Sequence, residues 1–136
     1  MRYRKCPSIV LLLTLTTASC SNPLELEDLL PFDPPEVYQM WWAELERCAG
    51  LNGEFEHIRW FTAETVTFDG RDTFGVWSPP STIYLERFYT TSVTAVKHEM
   101  LHELTNGALP HSHPLFTTCT VPSAIVPESE WRPLLP

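Results

Sequence analysis

His98-Glu99-Met100-Leu101-His102 sets two imidazoles four residues apart. On a helix both lie on one face, one turn apart, with Cβ atoms about 5–6 Å from each other. Such a pair can share one ion. Zinc takes imidazole nitrogen at about 2.0–2.1 Å and favours four ligands in a tetrahedron. Glu99 follows His98 directly, so it borders the same face. From there a carboxylate reaches a water beside the ion rather than the ion itself, which is the position of a general base in hydrolysis. A third ligand must come from elsewhere. His111 and His113 both lie beyond Gly107 and are bracketed by Pro110 and Pro114. In an extended segment residues two apart point the same way, so sidedness does not separate them. Reach favours His113, which has two more residues in which to return. His111 remains the alternative ligand, or a second donor to a developing oxyanion, a role for which Tyr84 and Tyr89 are also available.

The motif needs a helix to hold it. Ser92 is a plausible N-cap, with Thr91 a second choice. Val93, Val96, Met100, Leu101 and Leu104 form an apolar stripe at helical spacing. Asn106-Gly107 is a stop signal, with Gly107 suited to a left-handed cap. An earlier helix starts near Pro35, presents Tyr38, Trp41, Trp42, Leu45, Cys48 and Ala49 on one side, and stops at Gly50. Core packing is expected of the Trp41-Trp42 pair. Between the helices the period shortens. Ile58, Trp60 and Thr62 alternate with His57, Arg59 and Phe61, and His57 is read as a structural strand residue. Asp69-Gly70 marks a turn, around which Val66–Phe68 and Phe74–Trp77 are expected to pair. Thr82-Ile83-Tyr84-Leu85 is a further strand. The chain beyond Thr120 is rich in proline and is read as extended.

Thr82-Ile83-Tyr84-Leu85, the run from His98 to Leu104, His113-Pro114-x-Phe116 and Cys119 together resemble the zincin metallopeptidases, and more narrowly small exported bacterial zincin-like proteins. The resemblance spans Gly75 to Cys119. It implies an α+β fold, a minimal zincin-like domain with an N-terminal helix, a small twisted, mainly antiparallel sheet and the motif helix. It implies Zn2+ held by His98, His102 and His113, with Glu99 as catalytic base and a peptide or protein as substrate. By analogy Ile83 to Glu86 would pair with that peptide. Two subgroups are set aside. Position 108 is Ala where metzincins carry a third histidine, and no Met follows Met100. Glu128 and Glu130 lie in the proline-rich end, and Glu103 sits one step round the helix from His102. A zinc-dependent hydrolase, most simply a metallopeptidase, is the leading expectation. The alternative is a non-catalytic metal-binding envelope lipoprotein, or an interaction module on the same scaffold, in neither of which Glu99 is needed.

Residues 1–19 read as a signal peptide. Arg2, Arg4 and Lys5 precede a short apolar run, Ile9 to Leu15, too short to remain as a bilayer span. Thr17-Ala18-Ser19-Cys20 resembles a bacterial lipobox, so Cys20 is expected to carry lipid; cleavage as an ordinary secretory signal is the other reading. Ser21 in place of Asp favours the outer membrane, if the cell has one. Residues 20–34 are read as an acidic, proline-containing tether and 35–136 as one domain. Losing the signal moves the net charge from −8 to −11. So acidic a domain is a poor partner for nucleic acid or an anionic membrane surface, which leaves the lipid as its membrane contact. Cys48 and Cys119 are then the remaining pair, expected to form a disulfide in an oxidising compartment.

Overall fold

Ten strands and α-helices, with two 3-10 turns between them, order residues 23–122, the part of the chain that the computed structural model describes. They are β1 (Leu24–Glu27), β2 (Leu30–Pro31), α1 (Val37–Ala49), β3 (Arg59–Ala63), β4 (Thr65–Phe68), β5 (Arg71–Asp72), β6 (Gly75–Ser78), β7 (Thr82–Glu86), α2 (Val93–Leu104) and α3 (Leu115–Thr118). The fold is α+β, as expected, but with two sheets rather than one. β1-β4-β5 form a small antiparallel sheet, and β2-β3-β7-β6 form the larger one. Among the described residues only β3 and β7 pair in parallel. The lipobox and Cys20, with the chain from residue 123 onward, lie outside the described residues. Among the described residues no helix is long and apolar enough to cross a membrane.

The segment expected to be a tether is part of the fold. Leu24-Glu25-Leu26-Glu27 alternates half-buried leucine with exposed glutamate, the period of a strand with one face against protein. It runs antiparallel to β4, with Leu26 opposite Val66. β2 then borders β3. Arg87 fastens the bend between them, donating to the Glu64 carboxylate at 2.8 Å and to the Asp28 carbonyl at 3.3 Å. Only two apolar-polar repeats carry this signal, and Pro31 and Pro34 obscure it.

α1 buries Tyr38, Trp41, Trp42 and Leu45, so the tryptophan pair is core. Against it pack Val96, Met100 and Leu101 of α2 and Trp60, Ile83 and Leu85 of the larger sheet. A buried ion pair, Lys97 to Glu44 at 2.6 Å, joins the helices through their polar sides. The disulfide from Cys48 at the end of α1 to Cys119 after α3 is present, with Cα atoms 5.7 Å apart. It closes a loop of 71 residues, which the chain-entropy model values at about 4 kcal/mol. Cys48→Ser with Cys119→Ser should therefore lower unfolding free energy by about 2–5 kcal/mol. Denaturant titration checks this, and an unchanged midpoint would contradict it.

Strand pairing around the first turn differs from expectation. Asp69 and Gly70 both take positive φ and make the tight turn, but β4 pairs with the two-residue β5 only. β6 leaves for the other sheet and pairs with β7 across the Pro79-Pro80 turn. β7 is consequently interior, flanked by β3 and β6. It has no free edge, so Ile83 to Glu86 cannot pair with a peptide as the zincin analogy implied. The free edge beside α2 belongs to β6. His57 closes a 3-10 turn, Phe55–His57, rather than lying in a strand, and its exposed ring faces Glu54.

Candidate metal centre

Ser92 caps α2 as its sequence requires, accepting from the Ala95 N–H at 3.3 Å. Val96, Met100 and Leu101 point into the core. That fixes the helix rotation and turns His98 and His102 toward a cleft of about 730 Å3 between α2, β6 and the loop from Asn106 to His111. The helix closes through Gly107, whose N–H donates to the His102 carbonyl at 2.7 Å with φ at 65°. This turns the chain back at once.

The return brings His111, not His113, to the pair. Ligand nitrogens of His98, His102 and His111 all lie within 4.8 Å of one another, and the His102 and His111 Nε2 atoms are 2.8 Å apart. The preference for His113 is corrected by the local backbone. Residues 110–113 are a tight turn, with the His113 N–H on the Pro110 carbonyl at 2.9 Å, so the premise of an extended segment fails. His113 Nδ1 instead accepts the Leu115 N–H at 3.3 Å at the start of α3. Because Gly107 reverses the chain within the last helical turn, four residues suffice for His111 to reach the pair.

Aromatic rings frame the three imidazoles. Phe116, buried and placed by α3 and the disulfide, lies 4.7, 4.8 and 5.4 Å from the rings of His98, His102 and His111. Phe74 meets His98 edge-on at 5.4 Å. Burial, and secondarily the neighbouring imidazoles, push His98 and His102 down to about 4. Both are therefore neutral at pH 7, the form that ligates a metal.

Glu99 is 3% exposed and lines the same cleft. The Glu86 N–H donates to the Phe74 carbonyl. By antiparallel alternation Gly75 and Trp77 then turn their backbone groups away from β7. The Trp77 N–H reaches the Glu99 carboxylate. Burial pushes Glu99 up to about 8 against the pull of that N–H. Gly75 lets strand and helix approach this closely, since a Cβ there would lie 2.9 Å from the Tyr84 carbonyl oxygen and 3.1 Å from Glu99 Cγ.

These shifts predict how the metal-free protein responds to pH. His98 and His102 take up protons only in the unfolded chain between about pH 4 and 6.5, so stability falls as pH drops through that window. Glu99 keeps its proton in the folded state up to about 8 rather than 4.5, so its contribution falls as pH rises. Two histidines outweigh one carboxyl below about pH 6.5, and the carboxyl acts alone above it. Thermal unfolding of chelator-treated protein should show greatest stability near that pH; a flat profile from pH 4 to 8 would contradict the assignment.

Of the residues named from sequence, His98, Glu99, His102 and the alternative His111 meet in one cleft, and His113 does not. Tyr84 stacks on Phe61 on the other face of the sheet and Tyr89 packs on Phe74; neither lines the cleft. Phe74, Trp77 and Asn106 do line it, and nothing in their sequence context marks them as site residues. Trp77 had no signal beyond its place in a strand. Phe116 entered only through the family likeness.

Fold and site together define a small α+β domain with a histidine cluster able to hold a metal ion. No protein-family model, curated protein or solved structure matches the chain.

Proposed function

We propose that this protein is a zinc-dependent peptidase, with His98, His102 and His111 as the metal ligands and Glu99 as the base. The observation that carries the reading is a buried carboxylate in the same cleft as three clustered imidazoles, one of which adjoins it in the chain. Three imidazole nitrogen donors suit zinc better than magnesium or calcium, which prefer oxygen. They leave a fourth position open, as catalytic sites require. A bound zinc would supply Lewis acidity, lowering the pKa of a water and polarising a carbonyl.

The chain's own residues supply the rest. Glu99, held by the Trp77 N–H, takes a proton from water and returns it to the leaving amine. Phe116 and Phe74 keep His98 in place and exclude water behind it. The free edge of β6 offers the Gly75 N–H and the Trp77 carbonyl to an extended peptide, in the manner of strand addition. Export and lipid attachment at Cys20 belong to the same proposal and rest on the sequence of residues 1–20 alone.

Zinc-loaded protein should cleave a pool of unstructured peptides, stop on chelation and resume when zinc is restored. Zinc-loaded, folded protein that cleaves none of a diverse pool would leave a metal-binding role without turnover.

A further inference from the structure

We infer that Glu103 positions His102 through the indole of Trp77. The inference rests on reading the three histidines as a metal site. A metal-binding histidine usually donates its second ring N–H to a carboxylate or carbonyl, which fixes the ring plane. Among the described residues His102 makes no such bond; its ring hydrogen bond runs to His111.

Packing takes over that task. The Trp77 indole lies against the His102 ring with planes 20° apart and centroids 6.4 Å apart, within the range of offset-stacked pairs. The indole is itself held from several sides. Its Nε1–H donates to one oxygen of Glu103. The other oxygen accepts from Ser81 Oγ at 2.8 Å. Elsewhere on the ring, a Cβ on Gly107 would fall 2.5 Å from Trp77 Cζ3, so the indole fills space that only glycine leaves open. Trp77 is 8% exposed and has little freedom to swing away.

Glu103 follows His102 directly, one step round the helix and off the face that the ligands share. From that step it ties α2 to the turn end of the β6–β7 hairpin, through Trp77 on β6 and Ser81 in the turn. Phe116 touches all three imidazoles and Phe74 borders His98, rings with no hydrogen-bonding group, whereas the indole of Trp77 stacks on His102. The carboxylate therefore governs one ligand of the three.

A double-mutant cycle tests this, read by zinc affinity and by the ring proton resonances of His102 in metal-free protein. Glu103→Ala should weaken zinc binding about 10-fold or more, as loss of an outer partner does. It should shift the His102 ring resonances more than those of His98. Glu103→Gln, whose amide oxygen can still accept the indole N–H, should restore both readouts. Trp77→Phe keeps a ring but loses the donor; it should reproduce the effect, and Glu103→Ala added to it should change nothing further. Trp77→Phe and Glu103→Gln carry the test should Glu103→Ala not fold. Unmoved His102 resonances in folded Glu103→Ala, or undiminished zinc affinity in folded Trp77→Phe, would overturn the inference. So would a full additional loss of affinity from Glu103→Ala in the Trp77→Phe background. Wild-type protein that takes up no zinc would remove the metal reading alone, and the metal-free resonances would still decide this one.

Discussion

Glu99→Gln is expected to keep its zinc and lose peptide hydrolysis by at least about 100-fold, the lower bound for removing a positioned general base. The substitution preserves shape in a cleft that leaves Glu99 only 3% exposed. The amide oxygen can still accept the Trp77 N–H, so the helix and β6 stay in register. What disappears is the capacity to take a proton from water. The fold should not suffer, because burial already disfavours the charged carboxylate and holds its pKa near 8. Removing the titrating group should also abolish the decline in metal-free stability above about pH 6.5. Measuring zinc content beside turnover separates loss of chemistry from loss of metal. A zinc-loaded Glu99→Gln as active as wild type would remove Glu99 from the role of base.

His111→Ala should weaken zinc binding far more than His113→Ala. Loss of a direct ligand should exceed the roughly 10–100-fold that loss of an outer partner costs. His111 shares the cluster, with its Nε2 2.8 Å from that of His102. His113 spends Nδ1 on the Leu115 N–H, so His113→Ala should loosen the start of α3 and touch affinity only modestly. Competition with a chromophoric chelator gives both constants. The reverse ranking would mean that the loop from Pro110 to Pro114 rearranges around the ion.

The helix that carries the site was legible because its signals are local. Ser92, the apolar stripe and Gly107 each state a boundary or a face, and the two histidines follow from their spacing. The Cys48–Cys119 bridge was legible by count. The third histidine was not, because His111 and His113 differ in no property that sequence records. The outcome depends on a tight turn after Pro110 and on how sharply Gly107 reverses the chain. The role of β7 failed for a non-local reason. Thr82 to Glu86 reads as a strand, yet whether a strand is central or at an edge depends on partners more than twenty residues away in sequence, at β3. The same applies to Leu24–Glu27, where alternation was present but the partner, β4, lies far along the chain.

The central claim is that His98, His102 and His111 hold one zinc ion. Titrating zinc into metal-stripped protein, with the three single alanine variants alongside, tests it most directly. The account predicts uptake of one equivalent per chain by the wild type and severe loss in each of the three variants. No uptake by folded wild-type protein, or undiminished uptake by His111→Ala, would contradict it.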